Sequence, residues 1–173
     1  MPKVSKAFTR EENEGPDIPD LPARESALPF GSANYLTRSG ADRLRDELAR
    51  LVTEDRPRLV DASSDPDAKR QLARLDQRVA QLEQSLDGAQ VISHPPGDAD
   101  RVTFGATVSI RESSGDTVKY RIVGADETGF DESHISWMSP IARALMGARA
   151  GDVVHFETPA GDEQLAVTAI HYA

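Results

Sequence analysis

Apolar residues recur at alternating steps of four and three along the middle of the chain, between residues 66 and 87. The repeating positions are Ala68, Leu72, Leu75, Val79, Leu82 and Leu86. This spacing predicts an α-helix with a narrow apolar seam, which is typical of a helix that pairs with a second helix. Asp65 is suited to cap the start of this helix, Pro66 to occupy its first turn and Gly88 to end it.

A second helical pattern precedes the first and begins after Thr37, whose hydroxyl suits a helix N-cap. Its apolar positions are Leu44, Leu48, Leu51, Val52, Leu59 and Val60. Pro57 lies inside this pattern, and because proline has no amide hydrogen we expect a kink near Asp55 or Arg56.

Two helices joined by the short interruption at residues 61–67 must run antiparallel, so the pattern predicts a coiled-coil hairpin. Its second arm, at 1.5 Å per residue, would be about 33 Å long. The alternative is that the two helices pack along their length on the rest of the chain. The narrow seam favours the projecting hairpin, because a helix packed on a core usually has a wider apolar stripe.

The period of the apolar residues changes from helical to two near residue 102. Alternating apolar residues predict strands at 102–110, 118–122, 153–156 and 165–172. Between them, Ser139 and Pro140 are suited to begin a short helix that Gly147 ends. The C-terminal part is therefore predicted to be an antiparallel sheet with one short helix, and the whole chain an α+β protein.

Prolines and charged residues dominate the start of the chain, which has few large apolar side chains. Such a composition does not bury enough surface to offset the entropy of ordering. We therefore divide the chain into a disordered tail at 1–33, a helical hairpin at 34–90, a linker at 91–100 and a second domain at 101–173. A short interaction motif around Phe30 is the alternative interpretation of the tail.

The formal net charge is −9, and no segment is strongly basic. The charge is −2 over residues 1–36, −1 over 37–90 and −6 over 91–173. Tight binding of nucleic acid needs Lys and Arg to neutralise phosphates, so a protein partner is favoured. The chain has no cysteine, which excludes disulfides and cysteine-ligated zinc. No apolar run approaches the roughly 18 residues of a membrane span, and we expect a cytoplasmic protein.

Several motifs, taken in their order along the chain, resemble the GreA/GreB transcript cleavage factors. They are YLTRSG at 35–40, RIVGADE at 121–127, ISWMSPIARALMG at 135–147, GD at 151–152 and TPAG at 158–161. The matches span about residues 35–172, and it is the ordered set rather than any one motif that is specific.

This resemblance implies a defined mode of action. In the family, the C-terminal domain has an FKBP-like fold and docks at the rim of the secondary channel of bacterial RNA polymerase, while the helical hairpin enters the channel. In cleaving members, acidic residues at the hairpin tip help hold a second Mg²⁺ that activates water to hydrolyse a backtracked transcript. The resemblance thus implies a monomer whose partner is RNA polymerase, with nucleic acid contacted only through it, and no cofactor beyond that shared Mg²⁺.

At the hairpin tip the sequence departs from the family. Cleaving members carry Gly-Asp, two variable residues and Glu-Asn, whereas this chain has SDPDAK at 64–69. The tip comes about eight residues after Pro57 where the family takes about fourteen, which leaves the hairpin roughly 9 Å short. We therefore expect a polymerase regulator without efficient transcript cleavage. The alternative is a cleavage factor that uses Asp61, Asp65 and Asp67, and Asp65 could equally be a helix cap alone.

The resemblance also implies a polymerase-docking patch around the short helix. Its candidate residues are Trp137, Met138, Ser139, Pro140 and Arg143. Met138 stands where the family often has an acidic residue, which makes the patch more apolar. Trp137 could instead belong to the core, and Ser139 and Pro140 could simply start the helix.

Two functions of other classes remain open. An FKBP-like fold suggests prolyl isomerase activity, although a fold does not grant an activity. A helical hairpin could also mediate dimerisation as a scaffold. We expect the chain to be no enzyme of its own, and at most to stimulate the cleavage activity of the polymerase.

Overall fold

The computed structural model describes residues 33–93, 100–158 and 161–172. Its first elements are β1 (Asn34–Thr37), α1 (Arg38–Arg50), a π-helical turn (Leu51–Asp55), α2 (Arg56–Asp61), α3 (Pro66–Asp87) and β2 (Ala89–Ile92). They are followed by β3 (Thr107–Arg111), β4 (Thr117–Val123), a 3₁₀ turn (Ala125–Glu127), β5 (His134–Ser136), α4 (Pro140–Leu145), β6 (Val153–Thr158) and β7 (Gly161–His171). The predicted tail lies outside the described residues except at residue 33, as do residues 94–99 of the predicted linker.

Two helical arms are joined by an inter-arm turn at residues 62–65. The first arm is α1, the π-helical turn and α2 in succession, and the second arm is α3. Both starts are capped as predicted: the Thr37 hydroxyl accepts from the amide of Gly40 at 3.0 Å, and the Asp65 carboxylate accepts from the amide of Asp67 at 2.9 Å. Gly88 is the C-cap residue of α3.

The irregularity expected before Pro57 takes a different form from a kink at Asp55 or Arg56. The first arm stays helical and widens into a π-helical turn over Leu51–Asp55. Proline removes one helical hydrogen bond and crowds the carbonyl four residues earlier, here that of Thr53. A wider turn immediately before the proline accommodates that carbonyl without ending the arm.

The apolar seam of α3 faces the first arm. Ala68, Leu75 and Leu82 are buried, while Leu72, Val79 and Leu86 are half-buried. Near the base of the arms, Leu82 packs in a cluster with Leu36, Ala41 and Leu44. Burial of these side chains removes apolar surface from water and is the main contribution that pairs the arms. We use "helical pair" for residues 34–92.

A short parallel pair of strands closes the base of the helical pair. Each residue of β1 aligns with one of β2, from Asn34 opposite Ala89 to Thr37 opposite Ile92. The sequence analysis did not predict either strand, and it assigned residues 91 and 92 to a linker. The two ends of the helical pair are instead joined by backbone pairing.

The remaining strands form one five-stranded sheet in the order β5-β4-β3-β7-β6. The pairs β3–β4, β3–β7 and β6–β7 are antiparallel, but the edge strand β5 pairs parallel with β4. The predicted antiparallel sheet is therefore a mixed sheet. We use "sheet unit" for residues 100–158 and 161–172.

The core of the sheet unit lies between the sheet and α4. Its fully buried members include Val102, Val108, Ile110, Ile122, Leu145 and Val167. The strand expected from residue 102 begins only at Thr107, because Gly105 has a positive φ of 87° and turns the chain. Helices and sheet together make an α+β fold, as predicted. In the described part of the chain, no helix has the length and apolarity to cross a membrane.

Candidate functional site

The three tip candidates lie where the chain passes from the first arm to the second. Asp61 is the last residue of α2, and its side chain is exposed. Asp65 caps α3, because its carboxylate accepts a hydrogen bond from the amide nitrogen of Asp67 at 2.9 Å. Asp67 forms an ion pair with Arg70 one turn along α3. Two of the three carboxylates therefore have local partners within the helix start.

A metal site would need several oxygen ligands converging on one point. Among the residues that the structure describes, no three acidic or histidine side chains are grouped so that they could hold a metal ion. The three aspartates at the inter-arm turn are exposed and are not such a group. As arranged, they do not form a coordination cage.

The second candidate patch is centred on α4. The Ser139 hydroxyl accepts from the amide of Ala142 at 3.2 Å, so it is the predicted N-cap, and Pro140 occupies the first turn. Pro140 and Arg143 are exposed, and Met138 is half-buried. Of the five predicted docking residues, Pro140 and Arg143 are therefore the most open to a partner, and Met138 lies beside them. We use "α4 surface" for Met138, Pro140 and Arg143.

Trp137 has a different setting from its neighbours in the patch. Its ring packs on the core of the sheet unit and meets Tyr35 of β1 edge-on, with ring centroids 5.2 Å apart. Its indole nitrogen is buried and has no hydrogen-bond partner among the described residues. Trp137 therefore packs on the core of the sheet unit and also contacts the helical pair.

That contact contains the residues that sequence reasoning missed. The Glu127 carboxylate is buried and accepts three hydrogen bonds, of which two come from Thr37 at the start of α1. The Thr37 amide donates to Oε1 at 2.7 Å and its hydroxyl to Oε2 at 2.5 Å. The amide of Gly124 donates to Oε1 at 3.0 Å. Glu127 lies within the family-like motif at 121–127, but no local pattern marks it as buried.

The neighbouring residue, Asp126, makes the contact with the second arm. Asp126 accepts a hydrogen bond from the Ser85 hydroxyl near the end of α3. It also accepts from the side-chain nitrogen Nδ2 of Asn34 at 3.2 Å, and that same nitrogen donates to the Ser85 carbonyl at 2.9 Å. We use "joint" for Asn34, Thr37, Ser85, Asp126 and Glu127.

Apolar and charged contacts surround the joint. Phe130, which follows the 3₁₀ turn, packs on the cluster formed by Leu36 and Leu82, and Arg43 of α1 lies over its ring at 5.5 Å. The exposed Asp131 accepts hydrogen bonds from the hydroxyl and the amide of Ser133, which lower the pKa of its carboxyl. The base of the helical pair is thus fastened to the sheet unit by both polar and apolar contacts.

These features define a class of protein: an α+β chain whose pair of helices is fastened at its base to a five-stranded sheet. The family model of the GreA/GreB transcription elongation factor C-terminal region matches residues 97–172. Among curated relatives, the transcription elongation factor GreA of Ralstonia nicotianae is 39% identical over 152 residues, which cover 79% of this chain and 96% of the relative. The transcription elongation factor GreB of Haemophilus influenzae is 39% identical over 156 residues, covering 83% and 99%. The chain belongs to the GreA/GreB family of transcription elongation factors.

Proteins of solved structure are also similar to this chain. The GreA factor homolog 1 of Thermus thermophilus is 30% identical, with a TM-score of 0.36 and coverage of 81% of this chain and 99% of that chain. The GreA/GreB elongation factor of Nitrosomonas europaea is 21% identical, with a TM-score of 0.40 and coverage of 80% and 98%.

Proposed function

We propose that this chain regulates transcription by binding bacterial RNA polymerase at the secondary channel, and that it does so without efficient transcript cleavage. In this proposal the helical pair is a coiled-coil hairpin that enters the channel. The sheet unit is an FKBP-like domain that docks at the rim through the α4 surface. Membership of the GreA/GreB family supports the partner and the process.

The absence of efficient cleavage is inferred from the interactions that the aspartates at the inter-arm turn already make. Asp65 caps α3 and Asp67 pairs with Arg70, so two of the three aspartates already have partners. A metal bound at this turn would have to compete with both interactions. A Mg²⁺ site also demands near-ideal octahedral geometry at about 2.1 Å, which these exposed side chains do not prearrange.

The reach of the helical pair supports the same conclusion. The 22 residues of α3 extend about 33 Å from the joint to the inter-arm turn at 1.5 Å per residue. The resemblance implies that cleaving relatives reach about 9 Å further, which is six residues of helix in each arm. With the joint fixing the base, no described element supplies that extra length.

A competition experiment tests the proposal. A stalled, backtracked elongation complex is incubated with this chain, with a cleaving GreA protein, or with both, and transcript lengths are followed on gels. We expect no acceleration of cleavage by the chain alone and a concentration-dependent inhibition of cleavage by GreA. Both effects follow if the chain occupies the same channel without completing a metal site.

Two variants sharpen this experiment. Asp65→Ala/Asp67→Ala removes two tip carboxylates, and Asp46→Asn on α1 is a control that removes an exposed carboxylate nearer the base. Shortened transcripts that appear with the wild-type chain and vanish with the tip variant would show that the chain cleaves by the alternative mechanism.

The docking part of the proposal is tested separately. Arg143→Ala should weaken capture of the polymerase by about tenfold, since exposed arginines are frequent contributors to interface affinity. The control is Arg149→Ala, an exposed arginine outside the α4 surface that pairs with Asp100. Failure of the wild-type chain to capture polymerase at low salt would contradict the proposed partner altogether.

A further inference from the structure

Glu127 is the one charged side chain that is buried among the described residues, with 1% of its surface exposed. Burying a carboxylate costs free energy unless hydrogen bonds replace its lost water. Three donors do so, and two of them belong to Thr37, 90 positions away along the chain. Moving the start of α1 away from the 3₁₀ turn would therefore leave this buried carboxylate without two of its three hydrogen bonds.

The bonds continue from Glu127 into the first arm. The Thr37 hydroxyl donates to Glu127 and accepts from the amide of Gly40, which lies in the first turn of α1. One hydroxyl thus caps the helix and contacts the sheet unit at the same time. A change in the orientation of the first arm on the sheet unit would therefore break both hydrogen bonds from Thr37 to Glu127.

Two glycines allow the close approach. A Cβ atom on Gly40 would lie 1.8 Å from Oε2 of Glu127, and one on Gly124 would lie 2.1 Å from the Tyr35 carbonyl oxygen. Neither glycine has a positive φ, so their role here is space rather than backbone conformation. Any larger residue at position 40 would have to displace the carboxylate.

We propose that Glu127 is the positioning residue that fixes the helical pair in one orientation on the sheet unit. Asp126 assists by bonding to Ser85 of the second arm, so that adjacent carboxylates hold both arms. The inter-arm turn and the α4 surface then present themselves to a partner as one rigid body. That the partner is RNA polymerase rests on the proposed function, but the positioning role does not.

The test is a distance measurement in the free protein. Because the chain has no cysteine, Ser64→Cys in the inter-arm turn and Ser113→Cys in the turn between β3 and β4 accept two spin labels at defined places. Pulsed double electron–electron resonance then gives the distribution of distances between the arm tip and the sheet unit. We expect one narrow distribution for the labelled parent.

Variants at the joint should change that distribution in a graded way. Glu127→Ala removes every acceptor and should broaden the distribution or add a second maximum. Glu127→Gln should broaden it less, because the amide oxygen can still accept from both backbone amides and its nitrogen can donate to the Thr37 hydroxyl. Gly40→Ala should also broaden the distribution, because the added Cβ displaces the Glu127 carboxylate without removing its charge. Glu132→Ala removes an exposed glutamate from the nearby loop and should leave the distribution unchanged.

A distribution as narrow in Glu127→Ala as in the parent, with helical circular dichroism retained, would overturn the proposal. If Glu127→Ala loses its helical signal, the widths of the distance distributions in the milder variants Glu127→Gln and Gly40→Ala test the proposal instead. Parent-like widths in both of those variants would likewise overturn it.

A binding measurement separates this proposal from the proposed function. In Glu127→Gln the α4 surface is untouched, so polymerase capture should persist. The concentration needed to inhibit GreA-stimulated cleavage should rise about tenfold, because a mobile arm has lost its preorganisation. If even the wild-type chain fails to bind polymerase, the proposed function fails while the distance measurements still decide the role of Glu127.

Discussion

Glu47 and Arg78 face each other across the two helical arms and form a two-point ion pair. Nε and Nη2 of Arg78 donate to the two carboxylate oxygens of Glu47 at 2.8 and 2.9 Å. These hydrogen bonds raise the pKa of the arginine, helped by the charges of Glu47 and Asp126. The pair adds a directional contact to the apolar seam between the first arm and α3.

A double-mutant cycle on this pair should show a coupling of about 0.5 to 1 kcal/mol, because both side chains keep partial solvent exposure. Arg78→Lys should lose most of it, since lysine cannot make the two-point contact. Urea denaturation of Glu47→Gln, Arg78→Lys and the double variant measures the coupling. Additive effects in the cycle would contradict a specific interaction. The exposed pair of Arg45 and Asp42 is the control and should show a smaller coupling.

Leu82 should contribute strongly to the pairing of the arms. It is 1% exposed and packs with Leu36, Ala41 and Leu44. Leu82→Ala should destabilise the protein by about 2 to 5 kcal/mol, the range for truncating a buried leucine. Val60→Ala, on a side chain 43% exposed near the inter-arm turn, should cost within about 0.5 kcal/mol. Equal losses in denaturation midpoint for the two variants would be inconsistent with this packing.

Ser139 should stabilise the α4 surface through its cap. Ser139→Ala removes the acceptor for the Ala142 amide and should cost about 1 kcal/mol. Hydrogen exchange of the α4 amides should accelerate, which mass spectrometry can follow peptide by peptide. Ser114→Ala, in an exposed turn, provides the comparison and should leave α4 exchange as it is. Unchanged exchange in Ser139→Ala would argue that the cap is dispensable.

Protonation of Asp131 at low pH should remove a stabilising contribution from the loop that follows the joint. Hydrogen bonds from the hydroxyl and amide of Ser133 lower its pKa below the ordinary 3.8. A carboxyl with a lowered folded-state pKa contributes stability above the unfolded-state value, and this contribution is lost as pH falls through the folded-state pKa. Carbon-detected NMR titration should therefore find Asp131 ionised to a lower pH than an unstructured aspartate. Titration at or above 3.8 would contradict the prediction.

Local sequence patterns were sufficient to predict the helices and their caps. Thr37, Asp65 and Ser139 each cap the helix that the sequence assigned to them, because capping depends on residues within three positions. The seam of α3 was predictable for the same reason, as its spacing directly encodes one face of a helix. The α+β class followed from the change of apolar period near residue 102.

Long-range pairing was not predictable in this way. Strands β1 and β2 are four residues each and lie 55 positions apart, too short for an alternating pattern to stand out. β5 has three residues and owes its strand conformation to β4. The joint was missed because glutamate normally stays in water, and only the tertiary fold brings Thr37 to Glu127.

The paired strands at the base have a consequence for how such proteins can diversify. Residues 34–92 begin with β1 and end with β2, which pair with each other, so a genetic exchange with breakpoints outside them would transfer the arms together with the strands that join their base. The recipient would have to match the contacts made by Asp126, Glu127 and Phe130. Recombination among relatives could thus exchange helical pairs of different length on the same kind of sheet unit.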